Sequence, residues 1–438
     1  MMSSTTIGKY RWRIVALLFF ATTINYIDRQ VLSFTIINEQ FQLDILGLPL
    51  GHKITAADDA HLKALLGYVD AAFKIAYAMG FLFVGWFIDR VGTRKGFSFS
   101  MLLWSIAGVL HGLVSRAAGL IGARFLLGIG ESGNFPAAVK TIAEWFPRKE
   151  RSFATGIMNA GANVGVIATA LAVPYIIHHF GWRASFVITG GLGLILLLCW
   201  RTWYNQPRKV QQLSAEELAY IESDKDEIHT DDGQKIGWIK LFGYRQTWAF
   251  ALPKFFTDCV WYFFLTWLPM FFAKSNTFDE NLDLSTVGIP FLVIYIVSDL
   301  GSVFFGWLTS TFMKKGWSAN KARKTTLFLC GLCALPIVFA AKTHSLHLAI
   351  ALIALGTAAH QGFSSNILAM VSDIFPKKAA ASVTGIGGMM GGVSGALVSL
   401  YVGQIEGYLP VFIYASSAYF IALLAIHLCV PRMQKALI

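Results

Sequence analysis

Apolar residues along this chain gather into continuous runs about as long as a bilayer is thick, separated by short polar loops. Strands of a membrane barrel would instead alternate apolar and polar positions over about ten residues. A window of about 19 residues picks out about twelve spans, so the expected fold class is an all-α polytopic membrane protein. The clearest spans fall at 14–37, 65–88, 96–114, 152–177 and 289–312. Another ends near Tyr204, and a later one holds TWAFALPKFFTDCVWYFFLTWLPMFF.

The informative positions are those where the pattern fails. The stretch RFLLGIGESGNFPAAVKTIAEWFP, from Arg124 to Pro147, reads as the fourth span yet carries Arg124 and Glu131. A charge at the bilayer centre costs roughly 3 kcal/mol on insertion scales, so such residues usually face a polar cavity and mark a pathway. Seven residues apart on a helix, the two lie near the same face, about two turns from each other. Gly128, Gly130 and Gly133 let a neighbouring helix approach closely. The first span contains Asn25, Asp28 and Arg29. An ion pair locking this helix to a neighbour is one reading; binding is the other, because three polar groups exceed what a lock needs.

In the second span Asp70 and Lys74, at i and i+4, read equally as a helix-surface pair near the outer end or as cavity groups. Tyr77, deeper, offers a hydroxyl to a substrate. Asn159 and Asn163 in the fifth span suit helix-to-helix hydrogen bonding, with Asn163 the better binding candidate. In the seventh, Lys254 and Asp258 form an intrahelical pair or, with Trp261, line a cavity; the eighth holds a lone Asp299 without an evident partner. His360, Gln361 and Asn366 interrupt the tenth, in AAHQGFSSN. There the histidine is either a satisfied buried side chain or, since it titrates near neutrality, a share in proton movement. The polar segment 39–61 reads as an outside loop too long for a tight connection and without recognisable chemistry.

Composition agrees with the pattern: 438 residues, 55% hydrophobic and 14% charged, with mean hydropathy +0.56. A net charge of +11 does not point to nucleic acid, because the basic residues sit in alternate loops: Arg90, Arg94 and Lys95; Arg148, Lys149 and Arg151; Lys314 to Lys324; Lys377 and Lys378. By the positive-inside rule those loops and both termini are cytoplasmic. The five cysteines fall in or beside apolar runs, which argues against a disulfide framework, and Cys330 with Cys333 read CxxC inside one of them. Residues 205–245 turn acidic and polar and read as a cytoplasmic linker, with a short helix started by Ser214, between halves 1–204 and 246–438.

The halves repeat each other. Placing Pro147 on Pro376, a shift of about 230 residues, keeps Phe146 with Phe375, Thr155 with Thr384 and Gly156 with Gly385 in register, and sets Glu131 against His360. Two six-helix halves in parallel repeat, with a site at their shared interface near the midplane, is a transporter plan. The segment from Gly85 to Lys95 fits GxxxDRxGxRK, with Thr93 where an arginine is common, and resembles the loop between spans two and three of the major facilitator superfamily. NYIDR, RFLLGIGESGNFPA and WFPRKERSFATGI extend the resemblance to the anion:cation symporter family within it. Together with FKIAYAMGFL, KFFTDCVWYFFLTWLP, AHQGFSSN and VSDIFPKKAAASVTGIGG, the chain resembles bacterial hexuronate transporters over nearly its whole length.

The resemblance implies a major facilitator fold of two pseudo-symmetric six-helix bundles in a bacterial cytoplasmic membrane, and proton-coupled uptake of galacturonate or glucuronate by alternating access. It makes Asp28 and Glu131 protonation sites, joined by His360 from the repeat. Arg29 and Arg124 become carboxylate partners, and Tyr77 and Asn163 binding groups; the polar positions themselves and the chemistry of a sugar add Asn25, Asp258, Trp261, Gln361 and Asn366. Gly85, Asp89, Arg90, Gly92 and Arg94 belong by resemblance to a cytoplasmic gate. The expected partners are a small anionic sugar, protons and the lipid bilayer, for a monomer with no cofactor, metal or nucleic acid. A carrier or exporter of another sugar acid, such as an aldonate, would look nearly the same. A membrane enzyme or receptor is disfavoured, since the chain carries no HExxH, convincing nucleophile or large soluble output domain.

Overall fold

The computed structural model describes residues 8–223, 238–274, 278, 286, 288–375 and 377–433. Pro376, the linker stretch 224–237 and the side chains of Asp89, Arg148, Lys149, Arg151, Lys377 and Lys378 lie outside the described residues. The first half contains α1 (Tyr10–Thr35), α2 (Glu39–Leu46), α3 (Ala56–Val91), α4 (Thr93–Leu113), α5 (Ala117–Glu131), α6 (Asn134–Trp145), α7 (Arg148–Phe180) and α8 (Trp182–Trp203). After α9 (Ala215–Glu222) and α10 (Trp238–Leu241), the second half holds α11 (Arg245–Lys274), α12 (Gly288–Lys314), α13 (Ala319–Ala334), α14 (Leu346–Ile374), α15 (Lys377–Gln404) and α16 (Leu409–Cys429). Among the described residues, 10 helices are long and apolar enough to cross a membrane by themselves. The remaining two crossings are α1, interrupted by Asn25, Asp28 and Arg29, and the broken pair α5/α6.

That break is local chemistry. Pro136 has no N–H to give the carbonyl four residues back, and its ring crowds that carbonyl. The ladder therefore stops at Ser132, where Gly133 N bonds Gly130 O at 3.4 Å, and restarts as α6. Glu131 is consequently the last residue of α5 and not the middle of one long helix, as the apolar run suggests.

Two other boundaries differ from the sequence expectation. The capping box of Thr55 and Asp58 starts α3 at Ala56, well before the apolar run, because reciprocal capping sustains helix through polar turns. The expected long loop is also built. Asn38 caps α2, and Asp44 on α2 accepts from Trp182 Nε1 at 3.0 Å and Arg183 Nη1 at 2.8 Å. The expected linker helix is present, with Ser214 accepting from Glu217 N; Glu217 and Glu150 grip the Arg11 guanidinium at 3.2 and 2.9 Å, which ties α9 to α1 and α7.

The halves meet chiefly along α3 with α15 and α7 with α12. Glycine makes the first crossing tight: a Cβ at Gly67 would lie 2.7 Å from Ser399 O and 3.1 Å from the Gly403 Cα. Beside it Lys63 Nζ donates to Ile405 O at 2.6 Å and sits 4.3 Å from the Tyr408 ring. Both contacts lie toward the end opposite the basic loops.

Candidate substrate site between the two halves

At the middle of the first half, helix geometry turns two sequence anomalies into one ion pair. Arg29 donates from Nε to Glu131 Oε2 at 2.9 Å, with Nη2 also 2.9 Å from that oxygen, and Glu131 is fully buried. Arg124, on the same face of α5, donates to the Arg29 carbonyl at 3.2 Å. Aromatic faces enclose the Arg29 cation: Tyr77 at 4.6 Å, Tyr26 at 4.7 Å and Phe73 at 5.3 Å. Their quadrupoles favour a desolvated cation. Removing one partner of such a buried pair costs about 3–5 kcal/mol, because the other charge is stranded.

The pair is deliberately incomplete in hydrogen-bonding terms. Among the described residues Glu131 Oε1 and Arg124 Nε have no hydrogen-bond partner, although both are buried. The same holds for both side-chain polar atoms of Asn25. Native interiors seldom leave such atoms idle, and exceptions cluster where a ligand or water completes the set. Asp28 faces into the first half: a Cβ at Gly108 on α4 would lie 3.6 Å from its Oδ1.

Arg29 and Arg124 line a cavity of about 10 Å³ together with Asp70, Phe73, Lys74 and Tyr262. That space holds about one water, so the halves are closed over the charges. Sequence reasoning placed Asp70 and Lys74 no better than evenly between surface and cavity. The structure buries both, at 5% and 2% exposure, with Lys74 Nζ 2.5 Å from Asp70 Oδ2 and 2.7 Å from Ser399 Oγ across the interface. Spacing on α3 revealed the pair; Ser399 and Tyr262 carried no comparable signal, since they become polar neighbours only when α15 and α11 pack on α3.

The second half lines that cavity with Tyr262, Leu265 and Thr266, and groups its other polar residues apart from it. His360 stacks on Trp261 with centroids 5.0 Å apart and planes at 5°, and its Nδ1 is 3.2 Å from the Tyr419 hydroxyl. Lys254 and Asp258 form the intrahelical pair at 2.6 Å. Gln361 is half-buried on α14. Asn163 donates to Asp299 Oδ1 at 2.7 Å, which gives that aspartate its missing partner and joins α7 to α12. Asn366 departs from its expected place among the sugar contacts. It accepts from Thr309 at 2.7 Å and donates to Gly362 O at 2.9 Å, so its amide is spent on packing α14 against α12.

At the basic end, Gly92 turns between α3 and α4 with φ +86°, a conformation that favours glycine. Arg94 donates to Arg201 O at 2.6 Å, and Arg90 lies 5.4 Å from the Trp86 ring. Thr93, which departs from the motif, donates to Glu144 Oε1 at 2.7 Å; Glu144 also accepts from Tyr204 at 2.5 Å. Nothing crowds Gly85, where the nearest atom to an added Cβ would be 3.9 Å away.

This is the architecture of a membrane carrier: two helical halves closed over a buried polar centre. The chain belongs to the Major Facilitator Superfamily, whose sequence profile matches residues 18–399, and it is therefore a transporter and not an enzyme. It is 28% identical to the hexuronate transporter of Escherichia coli K12, over 92% of this chain and 90% of that one. It is likewise 28% identical to a D-galactonate transporter of Escherichia coli, over 98% and 97%. The inward-open xylose transporter XylE from E. coli shares the fold, with a TM-score of 0.71 at 15% identity over 96% of each chain.

Proposed function

We propose that this protein is a proton-coupled symporter that takes up a hexuronate, galacturonate or glucuronate, across the bacterial cytoplasmic membrane. The observation that carries this reading is the buried Arg29–Glu131 pair at the cavity wall. A guanidinium is a fixed fork suited to a carboxylate and stays charged at any working pH. In the closed protein the carboxylate it holds is Glu131. Protonating Glu131 weakens that grip and frees Arg29 for the carboxylate of the substrate, so proton and anion enter together. Arg124, braced on the Arg29 backbone with Nε free, is a second arm for the same group. Asp28, one residue from Arg29, is the second protonation site.

The remaining contacts follow from sugar chemistry. Tyr77, Asn163 and Gln361 serve hydroxyls, while Trp261, held flat on His360, covers the apolar face of the ring. Halves 1–204 and 246–438 rock about this centre, joined by the linker 205–245. The basic loops and both termini face the cytoplasm, the Gly85 to Arg94 turn forms the inner gate, and one chain suffices as the transporting unit. A monoanion with one proton crosses without net charge; each uncompensated charge would add about 2.3 kcal/mol per 100 mV of membrane potential.

Glu131→Gln tests the coupling. Uptake against a gradient should vanish in proteoliposomes while counterflow exchange of labelled substrate continues. Normal accumulation by this variant would falsify the assignment of the proton to Glu131. The galactonate relative favours a second reading, an aldonate carrier, and competition among galacturonate, glucuronate and galactonate decides between the two.

A further inference from the structure

The cavity contains a third cation that this scheme leaves without a task. Lys74 is held by Asp70 one turn back on α3 and by Ser399 of α15 in the other half, with the Tyr262 ring 4.8 Å from its ammonium. Ser399 also donates to Asp70 Oδ2 at 2.5 Å, and Thr266 of α11 donates to Oδ1 at 3.4 Å. Packing alone does not call for these charges: a buried ion pair is often replaced by apolar residues without loss of stability, and the Gly67 and Gly403 crossing already seats α3 on α15.

The arrangement parallels that of Arg29. Each is a buried cation on the wall of one cavity, and each is satisfied by a carboxylate of the protein itself, Glu131 in one case and Asp70 in the other. We propose that Asp70, like Glu131, stands in for a carboxylate of the substrate, and that Lys74 reads the second carboxylate of a linear six-carbon sugar diacid. The proposal rests on the sugar-acid reading above and widens it from monoacids to aldarates. Arg29 takes one end of the diacid; Lys74, with the Ser399 hydroxyl, takes the other. Charge balances in both modes. A monoanion displaces Glu131, which leaves neutral with one proton; a dianion displaces Glu131 and Asp70, which leave with one proton each.

The test is competition against labelled galacturonate uptake by the full-length protein in proteoliposomes, with galactarate as the diacid and galactonate as the monoacid. Galactarate should compete with the unaltered protein. Lys74→Gln should then shift the ratio of galactarate to galactonate half-inhibition by about tenfold against the diacid, and Lys74→Arg should restore the ratio. Should Lys74→Gln not insert stably, Asp70→Asn, which keeps the cation and removes the internal competitor, should shift the ratio toward the diacid. The inference is overturned if galactarate fails to compete while galacturonate is carried, a result that leaves the monoacid reading standing. It is overturned equally if these variants weaken both competitors by the same factor, as a mere latch between the halves would. Transport of galactarate without galacturonate would uphold Lys74 and defeat the hexuronate reading instead.

Discussion

Glu131 and His360 hold matching places in the repeated halves, and their surroundings differ in kind. Glu131 ends a broken helix, bound to Arg29, whose guanidinium lies among aromatic faces that favour a cation. His360 sits inside the continuous helix α14, stacked on Trp261 and edge-on to Tyr419, with no carboxylate within ion-pair distance among the described residues. Around Glu131 the first half thus gathers charge and unfilled hydrogen-bonding capacity, whereas around His360 the second half offers flat aromatic surface with a polar edge, its own Lys254–Asp258 pair lying on α11. A sugar acid has the same two sides: a carboxylate that demands charge, and a ring that is apolar on its faces and polar at its rim. On the proposed reading, pseudo-symmetry supplies the two-sided frame, and divergence at equivalent positions would fit each side to one part of the substrate.

The largest effect should come from emptying the charged side. Arg29→Ala removes the anion fork, and losing one partner of a desolvated charge pair costs about 3 kcal/mol of binding, so apparent affinity for galacturonate should fall ~100-fold. Concentration-dependent uptake checks this, with detergent monodispersity as the control for folding. If Arg29→Ala retains near-normal affinity while changes in the second half abolish binding, the division of labour is reversed.

A smaller effect should follow on the aromatic side. Trp261→Ala removes a flat surface whose stacking contributes about 1 kcal/mol, or roughly fivefold in apparent affinity. Accumulation driven by a proton gradient should persist at saturating substrate, because the residues assigned to the proton lie in the other half. Loss of accumulation with affinity intact would place the proton on the aromatic side and dissolve the contrast.

How much of this could be read in advance follows from what each feature depends on. Spans, the repeat and the shared face of Arg124 and Glu131 depend on helix periodicity and on the cost of charge in lipid, both properties of the sequence, whereas Arg29 joins them only through the family resemblance. The pairing of Arg29 with Glu131 depends on how α1 rests against α5, which no spacing within one helix encodes. Asn366 shows the opposite failure: an amide in an apolar helix signals a polar contact but does not tell substrate from a neighbouring threonine. Lys74 was visible as half of an i, i+4 pair, and only the approach of α15 turned that pair inward. Asp44 on α2 lay in a segment that looked like plain loop because its partners, Trp182 and Arg183, are far along the chain.

The smallest predicted effect concerns His360, and it tests the comparison most finely. A histidine that shares the proton would normally be expected to face a carboxylate or another protonatable donor along a path. His360 instead meets the Tyr419 hydroxyl at 3.2 Å and the Trp261 ring, with the Lys254–Asp258 pair on the same helix as that tryptophan. The stacked ring would hold the Trp261 plane in place on the proposed reading, a task that shape performs and charge does not. His360→Gln keeps a hydrogen-bonding group but loses the flat ring, so affinity should fall about two- to threefold, less than for Trp261→Ala, while uptake should still rise as the outer medium is made more acidic. Measuring initial uptake across outer pH at fixed inner pH separates the roles. A curve that keeps its midpoint leaves the proton with the first half, and a displaced midpoint or a lost acid stimulation makes His360 a second carrier and the two halves partners in coupling.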